Sequence, residues 1–337
     1  MSKEETKTIP VVVAPLPWHA PLIKHLEAAR SRRRLPHALL LHGGEGIGKR
    51  LFAQWLARAI MCDVQGEQLV PCGSCASCAL ANAGTHPDFF AVSPEEDKQQ
   101  ISIEQIRDLS ERLAMTSYRR GFKVAIVEPA HQLTTGAANS LLKTLEEPAR
   151  DSLLILITSR LSTVLPTIRS RCQKLAMPPP SQDAALAWLH AVSGQEVPPE
   201  LMQFAGVAPL KALAYLDGSF AKLNEQMTRT LSDFLAQRSD VTQVASQWAD
   251  DELIERIDWL DGWISRCLQA GILGTDDPVT STVLPTPRGA LNISAWFALL
   301  DRVRALKAQL AKTALQRELA VEALLIGLIE TWNVRTQ

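Results

Sequence analysis

The chain has 337 residues, enough for two or three domains, and its 46% hydrophobic content is that of a globular rather than a disordered protein. Thirty-five Lys and Arg against 36 Asp and Glu leave a formal charge of −1, which excludes a global field for nucleic acid and leaves that task to local patches. Six cysteines, four of them clustered, a charged N-terminus and no apolar run of about 18 residues predict a cytoplasmic protein with metal-ligating thiols, no membrane anchor and no disulfide framework.

Residues 1–10 form a loose polar leader, after which the chain passes through Pro15, Leu16, Pro17 and Trp18 into an amphipathic helix ending at Arg-Ser-Arg-Arg-Arg. Arg30, Arg32, Arg33 and Arg34 are the densest positive cluster in the sequence. Two readings stand: a solvated helix end whose cations complement the C-terminal dipole, or a contact to a partner protein or to DNA phosphate.

His37 to His42 reads as a short buried strand, and helical periodicity over Leu51 to Met61 follows closely. Between them lies the spacing of a phosphate-binding loop, Gly43, four residues, then Gly48 and Lys49. In such a loop backbone N–H groups and the following helix N-terminus cradle phosphate, and the lysine reaches its outer oxygens. Gly44, Gly46 and Gly48 leave the backbone free to wrap a phosphate. One position breaks the pattern, because Arg50 stands where a Ser or Thr hydroxyl would hold Mg²⁺. Retained ATP binding and a loop filled by Arg50 itself are both open, and the filled loop is the expectation.

Cys62, Cys72, Cys75 and Cys78 follow as a C-x9-C-x2-C-x2-C series with Pro71, Gly73 and Ser74 turning between them. Four thiolates with no open position describe a structural Zn²⁺ site, whose metal supplies the folding energy of an insert too small to bury a core. His86, in Thr85-His86-Pro87-Asp88, is a rival ligand, but a loop histidine hydrogen-bonded beside Asp88 is the preferred reading. Phe89 to Val92 reads as a second strand, and Ser102 with Gln105 makes a capping box opening a helix to Ala114. Lys123 to Glu128 is a near-continuous apolar run of the parallel-sheet kind, with a single carboxylate at its tip. Phosphoryl-transfer ATPases place a metal-binding Asp and a water-orienting Glu at such a tip; here Glu128 and Pro129 occupy the two places. A helix over Thr134 to Glu147, stopped by Pro148, leads to a further strand over Leu153 to Thr158. Cys172 and Cys267 stand alone and read as buried, inert thiols.

In this order and spacing, the degenerate phosphate loop, the four-cysteine insert after its helix, Thr85-His86-Pro87-Asp88, the LLKTLEEP run from Leu141 to Pro148, and Ser170-Arg171-Cys172 resemble the clamp-loader AAA+ proteins of bacterial DNA polymerase III. The resemblance covers residues 20–215, and beyond them it rests on helical character. It implies an α/β P-loop AAA+ domain over residues 1–178 with a zinc-binding insert near 62–78, a helical lid over 179–217, and an all-α collar for oligomerisation over 218–337.

By the same resemblance, Cys62, Cys72, Cys75 and Cys78 are zinc ligands, and Gly43, Gly46, Gly48 and Lys49 are the degenerate phosphate loop. Glu128 stands in the acidic tip, Thr158 or Ser159 falls at sensor 1, which meets the γ-phosphate in active members, and Arg171 is an arginine finger acting in trans. Leu210 takes the place of the lid's sensor 2 arginine, with Lys211 alongside. The implied partners are the τ/γ ATPase subunits, the δ subunit, the β sliding clamp through δ, and primer-template DNA.

Losing the magnesium hydroxyl and the water-orienting carboxylate while keeping Arg171 fits a subunit that helps a neighbour hydrolyse ATP. An active ATPase motor of the τ/γ type is the alternative, and a stand-alone zinc module for nucleic acid conflicts with the near-zero charge. The tryptophans Trp248, Trp259, Trp263, Trp296 and Trp332 read as core and interface packing, since no basic stripe accompanies them.

Overall fold

A computed structural model describes residues 14–273, 292–310 and 316–333, apart from 65, 97, 120 and 207. The polar leader lies outside the described residues. The chain forms two compact units, residues 1–184 and 185–337.

The first unit is built on a five-stranded parallel sheet. Its strands are β1 (Ala38–His42), β2 (Phe89–Val92), β3 (Lys123–Val127), β4 (Ser152–Thr158) and β5 (Gln173–Ala176), in the order β2-β3-β4-β1-β5. Strands β1, β3 and β4 are apolar almost throughout, as strands covered on both faces must be. Alternate residues feed opposite cores. Leu39, Leu41, Val124, Ile126 and Ile155 pack on α1 (Ala20–Ser31) and α2 (Lys49–Met61) through Leu26, Phe52, Trp55 and Leu56. Ala38, Leu40, Ala125, Val127, Leu154 and Leu156 pack with residues of α4 (Ile103–Ala114), α5 (Thr135–Glu146) and α6 (Pro166–Arg169), among them Ile106, Leu109, Leu141, Leu145 and Ile168. A seven-residue helix, α3 (Ala76–Asn82), starts inside the cysteine series.

Strand β1 lies between β4 and β5, so the connection leaving β1 runs to the far edge while the one leaving β4 passes over β1. That reversal opens a crevice outside the carboxyl ends of the strands, where open α/β sheets bind ligands. The loops Gly43–Gly48, Glu128–Pro129 and Ser159 gather at this end, whereas Arg171 and the segment 32–37 precede their strands and lie at the opposite end. The fifth strand was not apparent in the sequence, because Gln-Lys-Leu-Ala turns only Leu175 fully inward.

The second unit is helical in its described residues. Its helices are α7 (Gln182–Ser193, entering from the end of the first unit), α8 (Pro199–Phe204), α9 (Pro209–Ala214), α10 (Ser219–Leu235), α11 (Val241–Trp248), α12 (Leu253–Leu273), α13 (Ile293–Leu310) and α14 (Arg317–Asn333). One contiguous apolar core joins Leu189, Leu201 and Ala212 to Leu231, Trp263, Val303 and Leu325. Trp248, Trp259, Trp263 and Trp296 are buried and Trp332 partly so: Trp259 stacks on Trp263 with centroids 6.4 Å apart, and Trp263, Trp296 and Trp332 lie 5.7 to 6.5 Å from one another. Such pairs pack apolar area at favourable offsets.

Candidate functional site

The glycine loop Gly43–Gly48 follows β1 and opens α2, whose first residue is Lys49. Gly46 and Gly48 have φ of 70° and 92°, a region that L side chains reach only with strain. A Cβ on Gly43 would meet the Met177 carbonyl oxygen at 2.2 Å, and one on Gly48 would meet Leu16 at 2.4 Å, so the backbone path needs these glycines. The turn before α1 braces the loop from behind. The Trp18 indole and the His19 imidazole Nε2 both donate to the Ile47 carbonyl, at 2.9 and 3.2 Å, while the Leu16 amide donates to His19 Nδ1 at 3.2 Å. That pattern fixes the tautomer, and burial pushes the His19 pKa down to about 4, keeping the ring neutral.

The charged side chains at this loop are engaged within the chain. Lys49 is buried, and its ammonium donates to the Gly43 carbonyl at 3.0 Å and to the Gly44 carbonyl, so it is turned onto its own loop. Burial lowers its pKa, against the raising effect of Glu45 and Glu128. Arg50 reaches across to the tip of β3, where its Nε lies 2.5 Å from Glu128 Oε2. Thr158 is fully buried; its hydroxyl meets His131 Nδ1 at 3.0 Å and accepts from the Arg160 amide at 3.0 Å. Ser159 donates to Glu45 at 3.2 Å. Glu128, Thr158, Lys49 and the glycines are thus brought to one end of the sheet. The Arg50–Glu128 pair, the Trp18–His19 brace and the His131–Thr158 contact were not foreseen, because each joins residues distant in sequence with no local pattern between them.

Arg171 lies elsewhere. It precedes β5, whose first residue pairs with Leu39 near the start of β1, so it sits at the end of the sheet opposite its own phosphate loop. Its guanidinium is 2.5 Å from Glu146 at the end of α5 and donates to the Thr167 carbonyl at 3.0 Å, with the side chain 35% exposed. In the helical unit, Lys211 lies 4.4 Å above the Phe204 ring and donates to Asp258 at 2.6 Å, and Lys307 donates to the other oxygen of the same carboxylate. Leu210 beside it offers no cation.

The four cysteines converge. Their sulfurs all lie within 4.8 Å of one another, with Cys62–Cys75 at 3.8 Å and Cys72–Cys78 at 3.9 Å. A tetrahedral ion with sulfur ligands at about 2.3 Å requires sulfur separations of about 3.8 Å. The amides of Cys72, Cys75 and Cys78 donate to the sulfurs of Cys62, Cys72 and Cys75 at 3.3 to 3.4 Å, an arrangement suited to thiolate charge. The donor set therefore fits a closed metal site. Outside it, Asp63 accepts from the Ser77 amide and hydroxyl and from Arg119, which holds its pKa down to about 2. His86 is not among the converging groups: it accepts from the Asp88 amide at 3.2 Å, and Asp88 in turn accepts from Ser117, Tyr118 and Arg119.

Residues 18–181 match the family model described as DNA polymerase III, delta subunit. The chain is 36% identical over 250 residues to the DNA polymerase III subunit delta' of Pseudomonas aeruginosa, covering 73% of this chain and 75% of that protein. It is 30% identical over 318 residues to the DNA polymerase III subunit delta' of Escherichia coli K12, covering 92% and 94% respectively. It is also 34% identical over 205 residues to the DNA polymerase III subunit gamma/tau of Mycobacterium tuberculosis H37Rv, covering 59% of this chain and 34% of that one.

Proposed function

The chain belongs to the DNA polymerase III delta' family, which makes it a clamp-loader subunit, and from that membership we propose that it is a subunit that does not itself hydrolyse ATP. The observation carrying this reading is the Arg50–Glu128 pair at 2.5 Å: the two positions that would hold magnesium hold each other. A tethered guanidinium in that place competes with a divalent ion for the one carboxylate at the strand tip. Pro129 offers nothing to orient water, and Lys49 is spent on the loop carbonyls.

Arg171 is then the group this subunit lends. Its place at the strand-start end, away from its own loop, suits a finger reaching phosphate held by a neighbour, and arginine fingers raise rates by ~10³ to 10⁵ at the sites they complete. On this reading Glu146 holds the guanidinium until the neighbour's phosphate replaces it. The partners are the τ/γ and δ subunits, with the β sliding clamp engaged through δ and primer-template DNA bound by the assembled cytoplasmic complex. The Cys₄ module holds structural Zn²⁺, residues 179–217 act as a lid and residues 218–337 as a collar. The τ/γ-like motor reading is supported by the retained Lys49 and the gamma/tau similarity, and it requires a magnesium site that Arg50 fills.

Titration calorimetry of the full chain with ATP, with and without Mg²⁺, alongside a turnover assay, tests the proposal. The expected result is no magnesium-dependent binding and no turnover. Hydrolysis at the rate of an active relative would establish the motor reading instead.

A further inference from the structure

The two ends of the cysteine insert are joined by side chains outside the four-thiol set. Asp63 follows Cys62 at the end of α2, and Ser77 precedes Cys78 in α3. Fourteen positions apart in sequence, the two meet: Asp63 accepts from the Ser77 hydroxyl at 2.7 Å and from the Ser77 amide at 3.2 Å. Arg119 covers both, its Nη2 donating to Asp63 at 3.0 Å and its Nε to the Ser77 hydroxyl at 3.3 Å. One planar guanidinium thus spans the two partners in a fork that an ammonium does not offer.

Arg119 is itself fixed to the sheet. Its amide, the Tyr118 amide and the Ser117 hydroxyl all donate to Asp88, at 2.9 to 3.0 Å. Asp88 is 1% exposed, stands immediately before β2, and accepts through its carbonyl from the Val124 amide of β3 at 2.9 Å. A continuous path of hydrogen bonds therefore runs from the strands to the insert through Asp88, Arg119, Asp63 and Ser77. The thiols it reaches are unequal in exposure. Cys62 and Cys78, each beside one member of the path, are buried, whereas Cys72 is exposed and Cys75 partly so on the turn between them.

We infer that Asp63, Ser77 and Arg119 are positioning residues for the metal, holding Cys62 and Cys78 together as a half-site anchored to the sheet, against which the turn carrying Cys72 and Cys75 closes. This rests on the proposed zinc occupancy of the four thiols. Bringing the ends of a chain segment together costs entropy, and the clasp between Asp63 and Ser77 meets that cost before the ion binds. Outer partners that orient metal ligands in this way change metal affinity by about 10- to 100-fold. The Arg119 and Asp63 side chains are 35% and 37% exposed, so their pair contributes little to the stability of the fold. Its loss should be read in metal retention rather than in melting.

The test uses full-length, zinc-loaded chain carrying Asp63→Ala, Ser77→Ala or Arg119→Gln. Competition with a chromophoric chelator measures zinc affinity, beside metal content and thermal melting in saturating zinc. The inference predicts zinc held about 10- to 100-fold less tightly in Asp63→Ala, with smaller losses in Ser77→Ala, which keeps the amide contact, and in Arg119→Gln, and with melting unchanged in all three. Arg119→Lys should stay closer to Arg119→Gln than to the parent, because it lacks the fork. Parental affinity in both Asp63→Ala and Arg119→Gln would overturn the inference, and so would lowered melting with parental affinity, which would make the path purely structural. If Asp63→Ala does not fold, the Arg119→Gln result decides alone. If the unmodified chain carried no zinc, the proposed occupancy would be at fault rather than the positioning role.

Discussion

Arg50 ties the glycine loop to the tip of β3 through its charge. Its guanidinium answers Glu128 at 2.5 Å and so neutralises the carboxylate that would attract a divalent ion. Arg50→Thr should free Glu128 and return a hydroxyl, so that ATP binding becomes tighter in Mg²⁺ by about tenfold, or ~1.4 kcal/mol. Turnover should stay absent because Pro129 remains. Calorimetry of the variant with and without Mg²⁺ measures this, and a variant indifferent to the metal would show that Arg50 is not the block. His19 makes a second residue-scale prediction. Its folded pKa of about 4 lies below the ordinary 6.5, so the unfolded chain binds the proton first as pH falls. The stability from a neutral His19 is therefore complete above about pH 6.5 and is lost as pH falls towards 4, by about 3 kcal/mol in all. Its imidazole resonance should titrate below pH 5, and titration near 6.5 would contradict the burial argument.

Among the elements, β1, β3 and β4 were legible in the sequence because a strand covered on both faces must be apolar throughout, and the glycine spacing placed the loop between β1 and α2. Strand β5 was not, since a short strand at the sheet edge needs only Leu175 inside. Helix α3 was hidden by the cysteine spacing, because Cys75 serves at once as a converging thiol and as the helix cap, its sulfur accepting from the Cys78 amide. The site was legible residue by residue but not in its pairings: Arg50 and Glu128 are 78 positions apart, and no local period links them. The Cys₄ module is predicted to depend on its metal. Structural zinc in small modules supplies on the order of 10 to 16 kcal/mol, so Cys75→Ser should abolish stoichiometric zinc and expose amides across residues 62–83 while the strands stay protected. Metal analysis with hydrogen exchange reads both, and less than half an equivalent of zinc in the unmodified protein would count against the site. In the helical unit, Asp258 receives both Lys211 and Lys307. Removing it as Asp258→Ala should cost about 2 kcal/mol, the scale of a lost charge-assisted pair, read as a lowered denaturation midpoint by tryptophan emission.

At the scale of the whole molecule, the two ends of one parallel sheet carry different groups of residues. The carboxyl end holds a phosphate loop closed on itself by Lys49, Arg50 and Glu128, and the opposite end holds Arg171 and the arginine run 32–34. On the proposed reading, such a chain contributes to hydrolysis only beside a neighbour. Losing Arg171 should leave the fold intact, since its pair with Glu146 is half exposed and such pairs contribute little to stability. Lysine should replace it poorly, because an ammonium lacks the planar fork that spans phosphate oxygens. The most direct measurement is DNA-stimulated ATP hydrolysis by a clamp loader reconstituted with Arg171→Ala in place of the unmodified chain. The account predicts normal assembly with a partial loss of hydrolysis, confined to the one site this subunit faces; full hydrolysis by the variant complex would contradict it.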